Sequence, residues 1–290
     1  MTVPVLIPAL QGGPVEPRLL APVVPLTVVY GGGGPFGIAW GLGIARAFTN
    51  AGFALQDAPS MGTSAGAWVA ACVAHDVSFD KLRDLGAVRV PNLRPGLLHG
   101  IAAEVFGDAF APTVTAMVAR VPNGARVMLS GARWPIADLV AASSAVPWLF
   151  APHHIGKSLY IDGGCRSMLS ADLAPRAQRM LVIAPFAGPV LGAAGRGLEH
   201  LAQGEMRAWA NRTGGKPVFV RPNRVVAALV RHPLDLFDRA RAVAAYDLAF
   251  EHATDLLRGV DKTEFADYGT ALSAALPALL PALLPVVLPR

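Results

Sequence analysis

Gly62-Thr63-Ser64-Ala65-Gly66 carries the pattern G-x-S-x-G, which can set a serine on a sharp strand-to-helix turn with its hydroxyl exposed. The chemistry such a serine does is nucleophilic attack on a carbonyl. Gly62 and Gly66 have a mechanical purpose, because a side chain two positions either side of the serine would collide with neighbouring backbone in so tight an elbow. The hydroxyl also needs a base to take its proton, and the carbonyl needs donors aimed at the oxygen that becomes negative. Gly32, Gly33 and Gly34 can supply backbone N–H groups for such an oxyanion hole, whereas Pro35 has none to offer. A carboxylate, Asp162, heads Asp162-Gly163-Gly164, where two glycines let the backbone turn close to a neighbouring element.

The glycine run admits a second reading. Gly32, Gly34 and Gly37 satisfy G-x-G-x-x-G after a strand-like segment, and Asp57 stands near the acidic position of a dinucleotide fold. No Lys-Ser or Lys-Thr pair follows the glycines, which argues against a P-loop. The serine elbow one helix later is not required by nucleotide binding and favours acyl transfer. A nicotinamide-dependent oxidoreductase stays as the lesser alternative.

The elements that must position these groups follow from hydrophobic patterning. Residues 26–30 form a buried strand running into the glycine loop, and residues 38–51 carry apolar side chains at helical spacing. A short strand is expected over 53–58, then the elbow, then a buried helix over 65–74. This order of strand, glycine loop, helix, strand, elbow, helix opens an α/β sheet with crossover helices. Farther on, residues 79–85 read as a short helix and 92–100, rich in Pro and Gly, as a surface loop. Strands are expected at 126–129, 159–161, 180–184 and 218–220, and helices at 136–142, 198–210 and 233–257.

Of 290 residues, 53% are hydrophobic and 16% charged, which excludes disorder and implies extensive burial or an apolar working surface. The net charge is +5, and Lys81, Lys157, Lys216 and Lys262 are the only lysines. The excess of arginine suits anionic lipid surfaces, and its scatter excludes a nucleic-acid-binding block. Cys72 and Cys165 make no disulfide framework and no metal-ligand spacing, consistent with a reduced cytoplasmic setting, no metal and no cofactor. Residues 1–23 read as a mobile or surface-draped leader, 24–260 as one catalytic domain, and 261–290 as a tail. The tail has proline at every fourth position from Pro277 to Pro289, a spacing that defeats a regular helix and suits packing or self-association into a homo-oligomer.

Taken in order, these motifs resemble the patatin-like phospholipase family. Gly32-Gly33-Gly34-Pro35-Phe36-Gly37 is similar to its oxyanion loop, Gly62-Thr63-Ser64-Ala65-Gly66 to its nucleophile elbow, and Ala142-Ser143-Ser144-Ala145-Val146-Pro147 to its Ala-Ser-x-Ala-x-Pro segment. Tyr160-Ile161-Asp162-Gly163-Gly164 is similar to its Asp-Gly-Gly/Ala motif. The resemblance implies a three-layer α/β fold with a central, mostly parallel sheet flanked by helices. It also implies a phospholipid or other lipid-ester substrate, peripheral contact with a membrane surface, and a Ser64–Asp162 dyad with no histidine in the relay. Phe36 stands where the family commonly has Arg or Lys, and Ser170 stands in for an Asn that many relatives carry after the Asp-Gly-Gly motif.

The residues alone leave other readings open. His200, His232 or His252 could complete a Ser-Asp-His triad, and a lipid-binding protein with weak catalysis would keep the same pocket. Ser143 and Ser144 read as loop and helix-cap groups, His153 and His154 as an exposed pair before a strand, and Cys165 as a small buried filler. Trp40 and Trp68 read as core aromatics, while Trp148 and Phe150, beside Pro147, could shape an acyl pocket.

Overall fold

The computed structural model describes residues 23–83 and 89–258. The leader before residue 23 and the proline-rich tail lie outside them. In chain order the elements are β1 (Val24–Tyr30), α1 (Gly34–Asn50), β2 (Ser60–Thr63), α2 (Ala65–Ala74), α3 (Phe79–Arg83), α4 (Leu97–Phe106), β3 (Val114–Val121), β4 (Ala125–Ser130) and α5 (Ile136–Ser143). They continue with β5 (His153–Ile155), β6 (Ser158–Asp162), β7 (Ala177–Ile183), α6 (Ala193–Thr213), β8 (Lys216–Val220), α7 (Arg224–Ala227) and α8 (Arg239–Leu257).

The strands form one sheet of order β5-β6-β3-β2-β1-β7-β8, with β4 also paired to β3. Its centre, from β3 through β2, β1 and β7 to β8, is parallel. Stepping from β1 to β2 to β3 moves one way across the sheet and from β7 to β8 the other. Right-handed crossovers therefore place α1 and α2 on one face and α6 on the opposite face. The result is the three-layer α/β arrangement, with a reversal of strand order between β1 and β7, where open α/β sheets form crevices at the carboxyl ends of their strands.

One feature of the pairing determines where chemistry can occur. β4 takes one edge of β3 along residues 115–120. The other edge is shared, with β2 running parallel to residues 114–117 and β6 running antiparallel to residues 118–121. The two strands arrive from opposite directions, so their last residues meet: Thr63 lies opposite Met117 and Asp162 opposite Val118.

Several elements differ from the sequence reading. β3 was not anticipated, because nearly all of it is buried on both faces and so lacks the period-two alternation that marks a half-exposed strand. The strand expected over 53–58 is a series of turns, and β2 starts only at Ser60, after Pro59. Phe53 instead packs edge-on against Phe48, with ring centroids 5.1 Å apart. The loop expected over 92–100 turns helical at Leu97, after Gly96 at φ 76°. The helix expected over 233–257 is broken at Asp238, whose side chain accepts the Arg241 N–H at 2.9 Å and starts α8 afresh after a 3-10 turn, Pro233–Phe237.

Candidate active site

β2 delivers Ser64 into a backbone conformation of φ 54°, ψ −121° before α2 begins. A non-glycine residue there is strained, and such strain concentrates at functional turns. The flanking glycines fit the mechanical expectation: a Cβ on Gly62 would run into the Gly66 carbonyl, and one on Gly66 into the carbonyl of Tyr30 at the end of β1. The elbow is thus pressed directly against the strand that feeds the glycine loop.

Asp162, at the end of β6, is only 3% exposed. Its Oδ1 accepts the Gly164 N–H at 2.6 Å across the 3-10 turn Gly163–Cys165. A Cβ on Gly163 would enter the Met117 carbonyl, so glycine is needed for the chain to turn beside β3. Burial pushes the Asp162 carboxyl up to about 6, against the smaller stabilisation that the Ser64 hydroxyl and the Gly164 amide give its charged form. Oδ2 completes no hydrogen bond among the described residues. The Ser64 hydroxyl therefore sits near enough to influence the carboxylate but short of a well-aligned bond, the loose geometry that nucleophile–base pairs have before substrate tightens them.

Ser143 joins these parts. Fully buried at the end of α5, it donates its hydroxyl to the Met117 carbonyl at 2.8 Å and accepts the Ser64 N–H at 2.8 Å. This is neither a loop group nor a helix cap but a strut between β3 and the elbow. Its motif was visible in the sequence; its role depends on β3, which was not. Ser144 caps α5 and lines the cavity.

The glycine loop divides its amides. Gly31 N–H donates to Ile183 at 2.8 Å and Gly32 N–H to the Met168 carbonyl at 3.0 Å. Gly32 is thus engaged in holding the loop and is not available to an oxyanion, contrary to the sequence reading. Gly33 and Gly34 N–H meet no acceptor among the described residues. Neither does Ala65 N–H at the positive end of α2, a donor the sequence reading did not name although an elbow places it there by construction. α1 begins at Gly34 rather than near Gly37, and Phe36 is wholly buried.

The loop after Asp162 is held from α6. Glu205 Oε2 accepts the Ala171 N–H at 2.9 Å and its Oε1 accepts the Ser167 hydroxyl; Ser167 Oγ in turn accepts the N–H of Ser170 at 2.7 Å. Ser167, not Ser170, organises this loop, since the buried Ser170 hydroxyl has no partner among the described residues. The loop carries Met168, whose carbonyl holds Gly32.

Ser64, Asp162, Gly33, Gly34 and Gly164 all border one cavity of about 540 Å³, a volume suited to a small or lipid-like ligand. Its walls are apolar, with Ile38, Trp68, Ile101, Leu149 and Phe150 prominent, and among the described residues Arg83 and Arg239 are its other charged groups. Gly32, Gly62, Gly66 and Gly163 are buried and are not among the residues that border it. No histidine borders it: His200 lies on α6, His252 on α8, and His232 caps the 3-10 turn 233–237. Asp57 precedes β2 and so sits at the opposite end of the sheet from the glycine loop, which removes the acidic partner a dinucleotide site needs. Cys165 is exposed at the cavity, not a buried filler, and Cys72 is buried. Among the described residues no cluster of His, Cys, Asp or Glu could hold a metal ion. His153 and His154 lie within β5, and His153 bonds Asp138 at 2.9 Å.

Residues 91–175 match the model of the patatin-like phospholipase family. Over that segment the chain is similar to patatin-like phospholipases. No curated protein matches the chain. The match covers less than a third of the chain, from before α4 to beyond the Asp162 loop, and includes Ser143 and Asp162. The elbow and glycine loop lie outside the matched residues; the shared edge of β3 brings the elbow to Asp162, and the pairing of β1 with β2 sets the glycine loop beside the elbow.

Replacing Ser143 with Ala orphans the Ser64 amide and the Met117 carbonyl in a buried position. Urea unfolding should show a loss of about 1–3 kcal/mol for each group left unpaired; an unchanged midpoint would mean that the strut carries no weight.

Proposed function

We propose that the protein hydrolyses carboxylic esters of lipids, phospholipids foremost, through an acyl-Ser64 intermediate with Asp162 as its base. The observation that carries this reading is a strained serine elbow beside a buried, proton-hungry carboxylate in an apolar cavity. Ser64 Oγ attacks the ester carbonyl carbon as its proton passes to Asp162. The resulting oxyanion is held by the N–H groups of Gly33, Gly34 and Ala65, with the N-terminal ends of α1 and α2 adding favourable potential. The tetrahedral species collapses as the carbon–oxygen bond to the alcohol breaks, and Asp162 returns its proton to that alkoxide. Water then attacks the acyl-serine, giving its proton to Asp162; the bond from the carbonyl carbon to Ser64 Oγ breaks as Asp162 returns that proton to Oγ, and the free carboxylic acid leaves.

An ordinary carboxylate is a poor acceptor for a hydroxyl proton. Desolvation answers that difficulty, since it raises the basicity of Asp162 to about 6 without preventing ionisation near neutral pH. The apolar walls of the cavity support an acyl chain as the recognised part of the substrate.

Ser64→Ala and Asp162→Asn should each lower kcat/KM for a short-chain aryl ester by on the order of a thousandfold or more while preserving the circular dichroism spectrum; substantial residual turnover in either would remove the dyad. For the wild type, kcat/KM should rise with pH and level off above about 6, following ionisation of Asp162.

Burial of Asp162 also has a stability consequence of definite sign. Its folded pKa lies above its unfolded value of 3.8, so the folded state binds the proton more tightly and loses stability as pH rises through about 6. Asp162→Asn should therefore unfold at higher denaturant than the wild type at pH 7.5, by on the order of 1–3 kcal/mol. The advantage should shrink towards pH 4, and a destabilised variant at pH 7.5 would contradict the assignment.

A further inference from the structure

Between α5 and β5 the chain makes a turn in which neighbouring residues face opposite ways. Val146, Leu149 and Phe150 border the cavity, while Trp148 between them is 88% exposed, the most exposed of the large hydrophobic side chains among the described residues. The pocket-shaping role expected of Trp148 falls to its neighbours. Its backbone sits at φ 71°, a conformation that a bulky aromatic rarely adopts. The structure therefore holds a strained residue whose visible effect is to turn a tryptophan outward at the rim of an apolar cavity, and such strain marks ligand-contacting segments.

A second exposed apolar side chain stands beside it. Asn92 N–H donates to the Leu149 carbonyl at 2.8 Å, and Asn92 forms a bridge with Phe150. This ties the segment of residues 89–98 to the tryptophan turn. The next residue, Leu93, is 59% exposed, while Val90 and Leu98 of the same segment border the cavity. The two linked segments, 89–98 and 145–152, contain no Asp or Glu but carry Arg89 and Arg94, both exposed and neither in an ion pair among the described residues.

We propose that Trp148 and Leu93, flanked by Arg89 and Arg94, form the surface by which the cavity mouth docks onto an anionic lipid bilayer. This deepens the hydrolase reading and rests on it, since a lipid ester must pass from its bilayer into the cavity. Tryptophan favours the interfacial zone of a membrane, where its ring is half apolar and half polar. Leucine adds buried area, and arginines near the surface of an anionic leaflet add electrostatic attraction. No helix of the described residues is long and apolar enough to cross a membrane, so contact here is through side chains of two loops.

The test uses the full-length chain and vesicles of phosphatidylcholine, with and without an equal share of phosphatidylglycerol, read by co-flotation. The wild type should float with the anionic vesicles and far less with the zwitterionic ones. Trp148→Asn, a change that tolerates the positive φ, should weaken that binding on the order of tenfold. Arg89→Glu with Arg94→Glu should remove the preference for anionic lipid. All variants should keep the wild-type melting temperature and the wild-type rate on a soluble short-chain aryl ester. Equal flotation of wild type and variants would overturn the proposal. So would a wild type that ignores both vesicles but sediments as a dimer that Trp148→Asn converts to monomer, which would make this face a contact between copies. The soluble-ester rate reports separately on the hydrolase reading, because a wild type that binds vesicles but never turns over the soluble ester contradicts that reading alone.

Discussion

The site depends on one constraint: two strands must share a single edge of β3. Because β2 and β6 approach from opposite directions and stop at adjacent positions, the elbow after Thr63 and the carboxylate of Asp162 are forced together at Met117 and Val118. Backbone hydrogen bonding, among the most obligatory interactions in a protein interior, therefore sets the spacing of the candidate nucleophile and base. Ser143 fastens the junction by bonding both the Met117 carbonyl and the Ser64 amide. The glycines at 62, 66 and 163 are where backbones come too close for any side chain.

Burial at that junction produces the electrostatics. The same packing that leaves Asp162 almost without solvent also limits it to one firm hydrogen bond, from Gly164. A carboxylate with more donors would be comfortable as an anion and useless as a base; one with none would stay protonated. The second carboxylate oxygen has no hydrogen-bond partner among the described residues, which suits the proton acceptor proposed above. The loop that follows is tied to α6 by Glu205 and Ser167, and through Met168 it fixes Gly32, so that the amides of Gly33 and Gly34 are presented rather than satisfied.

Much of this was legible in residues whose job is local. The elbow, the glycine loop and the Asp-Gly-Gly turn need particular residue types at fixed spacing, and α2 appears with the bounds that its apolar run suggests. What escaped was set by tertiary contact. β3 is covered on both faces and has no alternation to read, and with it went the function of Ser143 and the reason why Ser64 and Asp162 meet. The engagement of Gly32 depends on the carbonyl of Met168, over a hundred positions away. Trp148 follows apolar neighbours of the same run, and nothing in its type could say that the backbone would turn it outward.

The most direct test of the account is the pH dependence of covalent labelling of Ser64 by an uncharged fluorophosphonate ester, followed by intact-protein mass spectrometry. One label per chain, located at Ser64, with a rate that climbs through a single ionisation near 6 and collapses at every pH in Asp162→Asn, is the predicted result. Labelling that proceeds at the wild-type rate without Asp162, or that falls on another residue, would contradict it.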